Sequence, residues 1–207
     1  MQSMRTLIMS ALLLLGAATI NAQDTATMAN NALRFADSLI KSSYGEDWNT
    51  YLTLSNPTAI KYYGGKEGYK EHVKLIYFRF ERMENEKREK LSMVQLLNDG
   101  TDQWQCVIEK ERNTFIDNRK VQVISHLIGQ SMDNGENWKF VDIAHNSTEN
   151  IIYVMPALFS NIVVPRGKLL YEDEVLAQQE KEQREKEAAA AAAAKKKQNT
   201  TAVKKKK

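Results

Sequence analysis

The fold is decided by the stretch Trp104–Ile143, which reads WQCVIEKERNTFIDNRKVQVISHLIGQSMDNGENWKFVDI. It contains three runs rich in Val, Ile, Phe and Trp, as half-buried strands require: residues 105–116, 121–132 and 137–143. The runs are separated by Asp117-Asn118-Arg119-Lys120 and by Asp133-Asn134-Gly135-Glu136. Because an Asn-Gly pair readily takes the positive φ angles of a type I′ turn, the pattern predicts a long antiparallel meander.

Helical patterns precede this meander. Apolar residues recur at helical spacing over residues 24–41, 48–54 and 66–83, with a brief helical turn at 59–63. Asn56-Pro57 ends the second helix, since the residue before a proline disfavours the α conformation. A further strand is expected at residues 91–97. Helices first and then four antiparallel strands predict one α+β domain over residues 23–170.

The two turns also predict which side chains share a face of the sheet. The first hairpin is expected to close on Asn118-Arg119 and the second on Asn134-Gly135, and the register follows by counting. The expected pairs are Phe115 with Gln122, Glu111 with His126, Glu109 with Ile128, His126 with Ile143, Ile128 with Val141, and Gln130 with Lys139. The opposite face is expected to collect Trp104, Cys106, Ile108, Leu127, Gly129, Trp138 and Phe140.

Both faces of the predicted sheet carry apolar side chains. Helices cover only one face, so the second face needs another cover. The candidates are a second subunit and the segment 151–164, IIYVMPALFSNIVV, which is too apolar for a free linker. We expect this segment to pack back on the domain, and the sheets of two copies to pair in a homodimer.

Residues 1–22 read as a signal peptide. Arg5 provides the positive charge, residues 7–18 are apolar, and cleavage is expected between Ala22 and Gln23. The apolar run is shorter than the roughly 20 residues that a membrane-spanning helix needs. We therefore expect an exported protein, periplasmic or secreted and not transmembrane. Cys106 is the only cysteine, which excludes a disulfide within the chain and is typical of a small buried hydrophobe.

The segment 171–207 differs in composition from the rest of the chain. It combines a charged stretch, an alanine run and a lysine-rich stretch, and predicts a helix that frays into disorder. It holds 10 basic and 7 acidic residues, which equals the whole-chain net charge of +3. The folded part is therefore near neutral, which argues against a nucleic-acid-binding domain. The lysines are expected either to contact an anionic envelope surface or to act only as a solubilising tail.

The pattern resembles the nuclear-transport-factor-2-like superfamily, which includes SnoaL-like proteins and small exported bacterial proteins. The resemblance covers residues 24–166 and rests on diffuse structural motifs. These are Phe35 and Leu39, Trp48-Asn49-Thr50-Tyr51-Leu52, Gly64-Gly65-Lys66-Glu67-Gly68-Tyr69, the run 127–142, Met155-Pro156-Ala157-Leu158 and Val163-Val164-Pro165. It implies a cone-shaped α+β fold, with N-terminal helices packed on a curved antiparallel sheet of about four strands. That fold serves both enzymes and binding proteins.

Two groups of side chains are candidates for a site. Glu109, Glu111 and His126 form a cross-strand polar group, in which a carboxylate beside a histidine would tune a general base near neutral pH. The alternative is a solvent-facing charged pair. Separately, Tyr63, Tyr77 and Trp104 are predicted to line an amphipathic ligand pocket, although aromatic residues at helical spacing also build cores.

No metal or other cofactor is predicted. His72, His126 and His145 fall in three separate elements and lack the spacings typical of metal ligands.

Two functions remain open at this stage. One is an exported, non-catalytic binding module for a small apolar ligand or a protein partner. The other is an isomerase- or dehydratase-like enzyme that uses a pocket carboxylate and His126. They differ in whether Glu109 or Glu111 and His126 point into a shared cavity, and we favour the binding module.

Overall fold

A computed structural model describes residues 25–77, 81–82, 89–143 and 151–204. The predicted signal peptide, with its cleavage point between Ala22 and Gln23, lies outside the described residues. Helix α1 covers residues 25–44. The other helices are α2 (Trp48–Leu54), α3 (Pro57–Tyr62), α4 (Lys66–Tyr77), α5 (Ile151–Val154) and α6 (Glu172–Lys204). The strands are β1 (Glu81–Arg82), β2 (Lys90–Asn98), β3 (Trp104–Ile116), β4 (Arg119–Ser131), β5 (Lys139–Asp142) and β6 (Lys168–Tyr171).

Short polar residues set the beginnings of the two short helices. The Asp47 carboxylate accepts a hydrogen bond from the Thr50 N–H and caps α2. The Asn56 side chain likewise accepts from the Thr58 N–H, and proline occupies the first position of α3. These caps turn the chain sharply between helices at the edge of the sheet.

Helix α4 ends earlier than the sequence pattern predicts. The expected helix over residues 66–83 is wrong at its end, because Glu81 and Arg82 form strand β1 and pair with Phe115 and Thr114. Pairing with the edge of β3 satisfies the backbone hydrogen-bonding groups of these two residues.

The sheet is antiparallel and curls into a half-barrel of four rows. The long hairpin β3–β4 forms the two central rows. Strands β1 and β2 share the outer edge of β3, whereas β5 and β6 share the outer edge of β4. The predicted α+β class, with helices and a curved antiparallel sheet, is confirmed.

The register of the β3–β4 hairpin differs from the prediction. Asp117 and Asn118 both have positive φ angles, 50° and 60°, so the two-residue turn is centred on them and not on Asn118-Arg119. Aspartate and asparagine tolerate this conformation better than arginine does. As a result Glu109 lies opposite His126, Glu111 opposite Ile124, and Phe115 opposite Lys120.

The observed register differs from the predicted one by two residues on β3. Because side chains alternate between faces, each side chain still lies on the predicted face of the sheet. Across the second turn the prediction is confirmed: Ile128 pairs with Val141 and Gln130 with Lys139. The His126 carbonyl also accepts from the Ile143 N–H at 3.1 Å.

One face of the sheet carries the main hydrophobic core. This helix-side face buries the side chains of Cys106, Ile108, Leu127 and Phe140, and Trp138 stacks beside Phe140 with ring centroids 6.5 Å apart. They pack with buried residues from the helices, which include Ala36, Leu39, Tyr51 and Val73. The expected apolar set therefore faces the helices.

The opposite face is crossed by residues 155–164, which we call the strap. The Gln105 side-chain amide donates to the Ala157 carbonyl at 2.6 Å and accepts from the Phe159 N–H at 2.8 Å. One strand further out, the Gln95 amide does the same with the Asn161 carbonyl and the Val163 N–H. Each glutamine thus donates to one backbone carbonyl of the strap and accepts from one backbone N–H, as a neighbouring strand would. The predicted packing of this segment on the domain is confirmed.

Helix α6 follows β6 without a loop. Over residues 172–189 nearly all of its side chains are exposed, with pairs such as Gln178 with Glu182 and Arg184 with Glu180 along its surface. Within the described ranges, no helix is both long enough and apolar enough to cross a bilayer. Whether residues 171–207 fray into disorder stays a prediction.

Candidate functional site

Three ionisable side chains meet under the helices, and we call them the buried charge cluster: Glu89, Lys110 and Asp142. The Lys110 Nζ donates to Asp142 Oδ2 at 2.6 Å and lies 3.7 Å from Glu89 Oε2. All three side chains are at most 3% exposed. The Tyr44 hydroxyl, at the end of α1, donates to Glu89 Oε1 at 2.9 Å. The ammonium is therefore compensated by carboxylates inside the fold.

The alternation of the strands brings this cluster together. Lys110 follows Cys106 and Ile108 on the helix-side face of β3, and Asp142 follows Phe140 on the same face of β5. Because β4 lies between β3 and β5, the two side chains reach towards each other across it. A buried ion pair of this kind carries a desolvation cost of several kcal/mol per ion, offset only by good geometry.

Four aromatic side chains from α2, α4 and the turn before α4 pack together, and we call them the tyrosine cluster: Tyr51, Tyr63, Tyr69 and His72. The ring centroids of Tyr51 and Tyr69 are 6.3 Å apart, and those of Tyr63 and Tyr69 are 5.6 Å apart. His72 stacks on Tyr63 at 3.9 Å. The cluster leads from buried Tyr69 to half-buried Tyr63 in the turn between α3 and α4.

Burial and the charge of Asp142 shift pKa values in the tyrosine cluster. Burial, followed by the negative charge of Asp142, raises the pKa of Tyr69 above its usual range, which keeps the phenol protonated. Burial also lowers the pKa of His72, so its ring is neutral at pH 7. The site therefore presents one compensated ammonium, two carboxylates and neutral aromatic groups.

Glu109, Glu111 and His126 lie on the strap-side face, away from both clusters. His126 Nε2 is 3.7 Å from Glu109 Oε2, and the His126 side chain is 2% exposed. Burial lowers the pKa of His126, and the Glu109 carboxylate partly opposes that effect. Glu111 instead accepts from Lys90 Nζ at 2.7 Å and from Gln122 Nε2 at 3.0 Å. The structure brings together the histidine and Glu109, and holds Glu111 in a separate surface pair.

The three predicted pocket residues have different surroundings. Tyr63 belongs to the tyrosine cluster. Trp104 donates from Nε1 to Asn134 Oδ1 at 3.0 Å, in the loop between β4 and β5. The side chain of Tyr77 lies outside what the structure describes. Trp104 thus has its polar contact at the turn, whereas Tyr63 has its ring contacts between α3 and α4.

Metal and thiol chemistry have little support among the described residues. No group of three or more His, Cys, Asp or Glu side chains there is arranged to hold a metal ion, and His145 lies outside them. The Cys106 thiol is buried, and burial raises its pKa to about 12, so at pH 7 it is not a thiolate nucleophile.

The buried charge cluster is the site that sequence reasoning missed. The signal was present, because Lys110 and Asp142 interrupt the apolar alternation of two strands on the same predicted face. Glu89 and Tyr44 had no such signal, since only the fold brings residues 44, 89, 110 and 142 together.

Comparison with known proteins adds no identification. No protein-family model, curated protein or solved structure matches the chain.

Proposed function

We propose that this protein is an exported, non-catalytic binding module that takes a small amphipathic ligand between its helices and its curled sheet. One relationship carries the proposal: the Asp142 carboxylate of the buried charge cluster helps to raise the pKa of the Tyr69 phenol in the tyrosine cluster, so charged and aromatic groups are within electrostatic reach of each other. Small-molecule sites combine aromatic walls with a few convergent polar groups. These two clusters have that composition.

The cost of the buried charges supports a functional role. Apolar side chains of similar volume at these positions would give a core at least as stable, because a buried ion pair scarcely repays its desolvation. Ionisable groups retained in such a place are enriched at functional sites. Lys110, Asp142 and Glu89 would hold the polar end of the ligand, and Tyr63 and Tyr69 its apolar body.

We propose a non-catalytic role because the charged groups of the buried charge cluster already compensate one another. A general base needs a group that exchanges its proton near the working pH and reaches the substrate. In the buried charge cluster each carboxylate already accepts a hydrogen bond, from Lys110 or from Tyr44. That arrangement suits recognition of a polar group better than proton transfer.

The alternative is an isomerase- or dehydratase-like enzyme that uses a carboxylate and His126. The observation that favours it is the 3.7 Å approach of His126 Nε2 to Glu109 Oε2 at a buried position. Its substrate site would lie on the strap-side face, where Glu111 pairs with Lys90. Loss of turnover in both Glu109→Gln and His126→Ala variants would establish it.

Export and self-association belong to the same proposal. The signal peptide and the resemblance to the cone-shaped, nuclear-transport-factor-2-like proteins support an exported binder. A homodimer through the sheet remains a proposal, and the strap already covers part of the face that would pair. Sedimentation of residues 23–207 at micromolar concentration tests it directly, and a monomer would remove the dimer.

The test of binding is a thermal-shift screen against lipids, sterols and glycans. A ligand that binds only the folded state raises the melting temperature by mass action. The shift should disappear in Tyr63→Leu, which keeps an apolar side chain but loses the stacked ring. Tyr171→Leu, on β6 at the Arg119 side chain, is the matched control and should keep the shift.

The outcomes are distinct. A shift that Tyr63→Leu abolishes and Tyr171→Leu retains supports the site between helices and sheet. A shift that both variants retain places the ligand elsewhere on the protein. Absence of any shift, together with turnover that depends on Glu109 and His126, favours the enzyme.

A further inference from the structure

The charge of this chain is separated along its length. Residues 1–170 hold 19 basic and 19 acidic side chains, so they are neutral overall. Residues 171–187, which we call the neck, hold seven acidic and three basic residues. Residues 188–207 hold seven lysines and no acidic residue. We call the lysine-bearing part, residues 195–207, the basic tip.

The order of these charges favours a helix. Glu172, Asp173 and Glu174 occupy the first turn of α6, where negative charge is favourable to the helix dipole. Lys195, Lys196, Lys197 and Lys204 follow towards the C-terminal end of α6, where positive charge is favourable. Seven consecutive alanines, residues 188–194, have the highest helix propensity and separate the two charged parts.

The start of α6 is fixed to the folded domain by a network that we call the latch. Arg119 forms a bidentate pair with Asp173 at 2.7 and 3.1 Å and also reaches Glu174 at 2.8 Å. Its guanidinium lies 3.9 Å above the Tyr171 ring, and Lys120 pairs with Glu172 at 3.0 Å. Because β6 pairs with β4 immediately before the helix, the direction of α6 is set at the tip of the β3–β4 hairpin.

We propose that the basic tip binds the surface of an anionic phospholipid bilayer and that α6 is the spacer that holds the folded domain away from it. Because of this charge distribution, only the C-terminal end of α6 is expected to contact the bilayer. Without residues 1–22 the domain holds 18 basic and 19 acidic side chains, a net charge of −1, so it has no net attraction to the bilayer. The neck, with a net charge of −4, is repelled by it. Clustered lysines are attracted to anionic lipid headgroups, and this attraction decays within a Debye length.

The helix geometry gives the spacing. With a rise of 1.5 Å per residue, the 23 steps from Glu172 to Lys195 span about 35 Å. That distance is several Debye lengths at physiological salt, so only the basic tip is close enough for electrostatic attraction to the lipid headgroups. The domain would then remain free to meet its ligand from any side.

Vesicle co-sedimentation tests the contact. Residues 23–207, the chain left after signal cleavage, are mixed with vesicles of phosphatidylcholine alone or with about 30% phosphatidylglycerol, a composition in the range of anionic membrane surfaces. Binding is expected only to the anionic vesicles, and raising NaCl from 50 to 500 mM is expected to weaken it at least about tenfold.

Two variants locate the contact on α6. Substitution of all seven lysines of the basic tip by glutamine should abolish binding. The matched control replaces Lys181, Arg184 and Lys186 of the neck by glutamine and should leave binding unchanged. Equal binding by the wild type and the tip variant, or equal binding to neutral vesicles, would overturn the proposal. So would binding that 500 mM NaCl does not weaken, because the contact would then not be electrostatic.

Neutron reflectometry on a supported bilayer tests the spacer. A layer of protein density separated from the headgroups by about 35 Å is expected for the wild type. Arg119→Gln, which weakens the latch, should broaden that layer and leave the amount of bound protein unchanged. A domain that lies directly on the headgroups would refute the spacer.

Discussion

The Lys110 ammonium and the Asp142 carboxylate meet across β4 at 2.6 Å, with side chains only 3% and 1% exposed. The two residues are distant in the sequence, since 32 positions separate them. The contact therefore depends on the hairpin β3–β4 and on the placement of β5. Because these groups are charged and dry, removal of Lys110 takes the compensating ammonium away from both Asp142 and Glu89.

Lys110→Met is expected to destabilise the fold by about 3–5 kcal/mol, the usual cost of a broken buried pair. The free energy of unfolding from urea titration measures the change. Lys90→Met is the matched control, because its ammonium is 71% exposed and an exposed pair contributes about 0–1 kcal/mol.

The double variant Lys110→Met/Asp142→Leu separates charge from packing. If uncompensated charge is the cause, the double variant should be more stable than Lys110→Met alone. A double variant that is less stable would show that the aliphatic packing, and not the ion pair, dominates.

Gln105→Leu is expected to loosen the strap. It leaves the Ala157 carbonyl and the Phe159 N–H without their partner, at a cost of about 1–3 kcal/mol. Amide hydrogen exchange should quicken at Phe159 and Val163 before it quickens in β3. Gln103→Leu, in the loop before β3, is the control, and similar exchange in both variants would contradict the role of Gln105.

Gly129→Ala is expected to destabilise the core although the added group is only a methyl. A Cβ at this position would lie 2.6 Å from Cys106 Sγ and 2.7 Å from Phe140 Cε1. Such overpacking costs about 1–3 kcal/mol. Adding Cys106→Ala removes the sulfur and should recover part of the loss, as a double-mutant cycle by thermal unfolding would show.

Stability is expected to fall between neutral and acidic pH because of His126. Its folded-state pKa is lowered by burial, whereas the unfolded value is near 6.5. Below pH 6.5 the unfolded chain takes up the proton first, so stability is lost as the pH falls towards the folded-state pKa and rises again as the pH rises. Urea unfolding at pH 5, 6, 7 and 8 measures the slope.

Variants assign the slope to this histidine. His126→Gln should remove the contribution of His126 to the pH dependence, and His72→Gln should remove the separate contribution of His72, whose pKa is also lowered by burial. Glu109→Gln should steepen the loss, because the carboxylate supports the imidazolium. An unchanged slope in His126→Gln would show that other groups carry the pH dependence.

The amino-acid pattern predicts the class of fold because strands and helices leave periodic traces. The apolar alternation in residues 105–143 indicates the meander, and Asn134-Gly135 sets the register of β4 against β5. The first turn was harder, because Asp117, Asn118 and Arg119 offer two centres for a two-residue turn. Its true centre at Asp117-Asn118 changes the partner of His126 from Glu111 to Glu109.

By itself the sequence determined the α+β order, the faces of the two long strands, and the separation of charge between residues 1–170, the neck and the basic tip. These are properties of local spacing and composition, which do not require distant contacts. Only the tertiary structure decided that Lys110, Asp142 and Glu89 share one dry cluster, and that two glutamines hold the strap. Such contacts join residues 21 to 68 positions apart. They exist because the curled sheet is covered by helices on one face, where the charge cluster lies, and by the strap on the other.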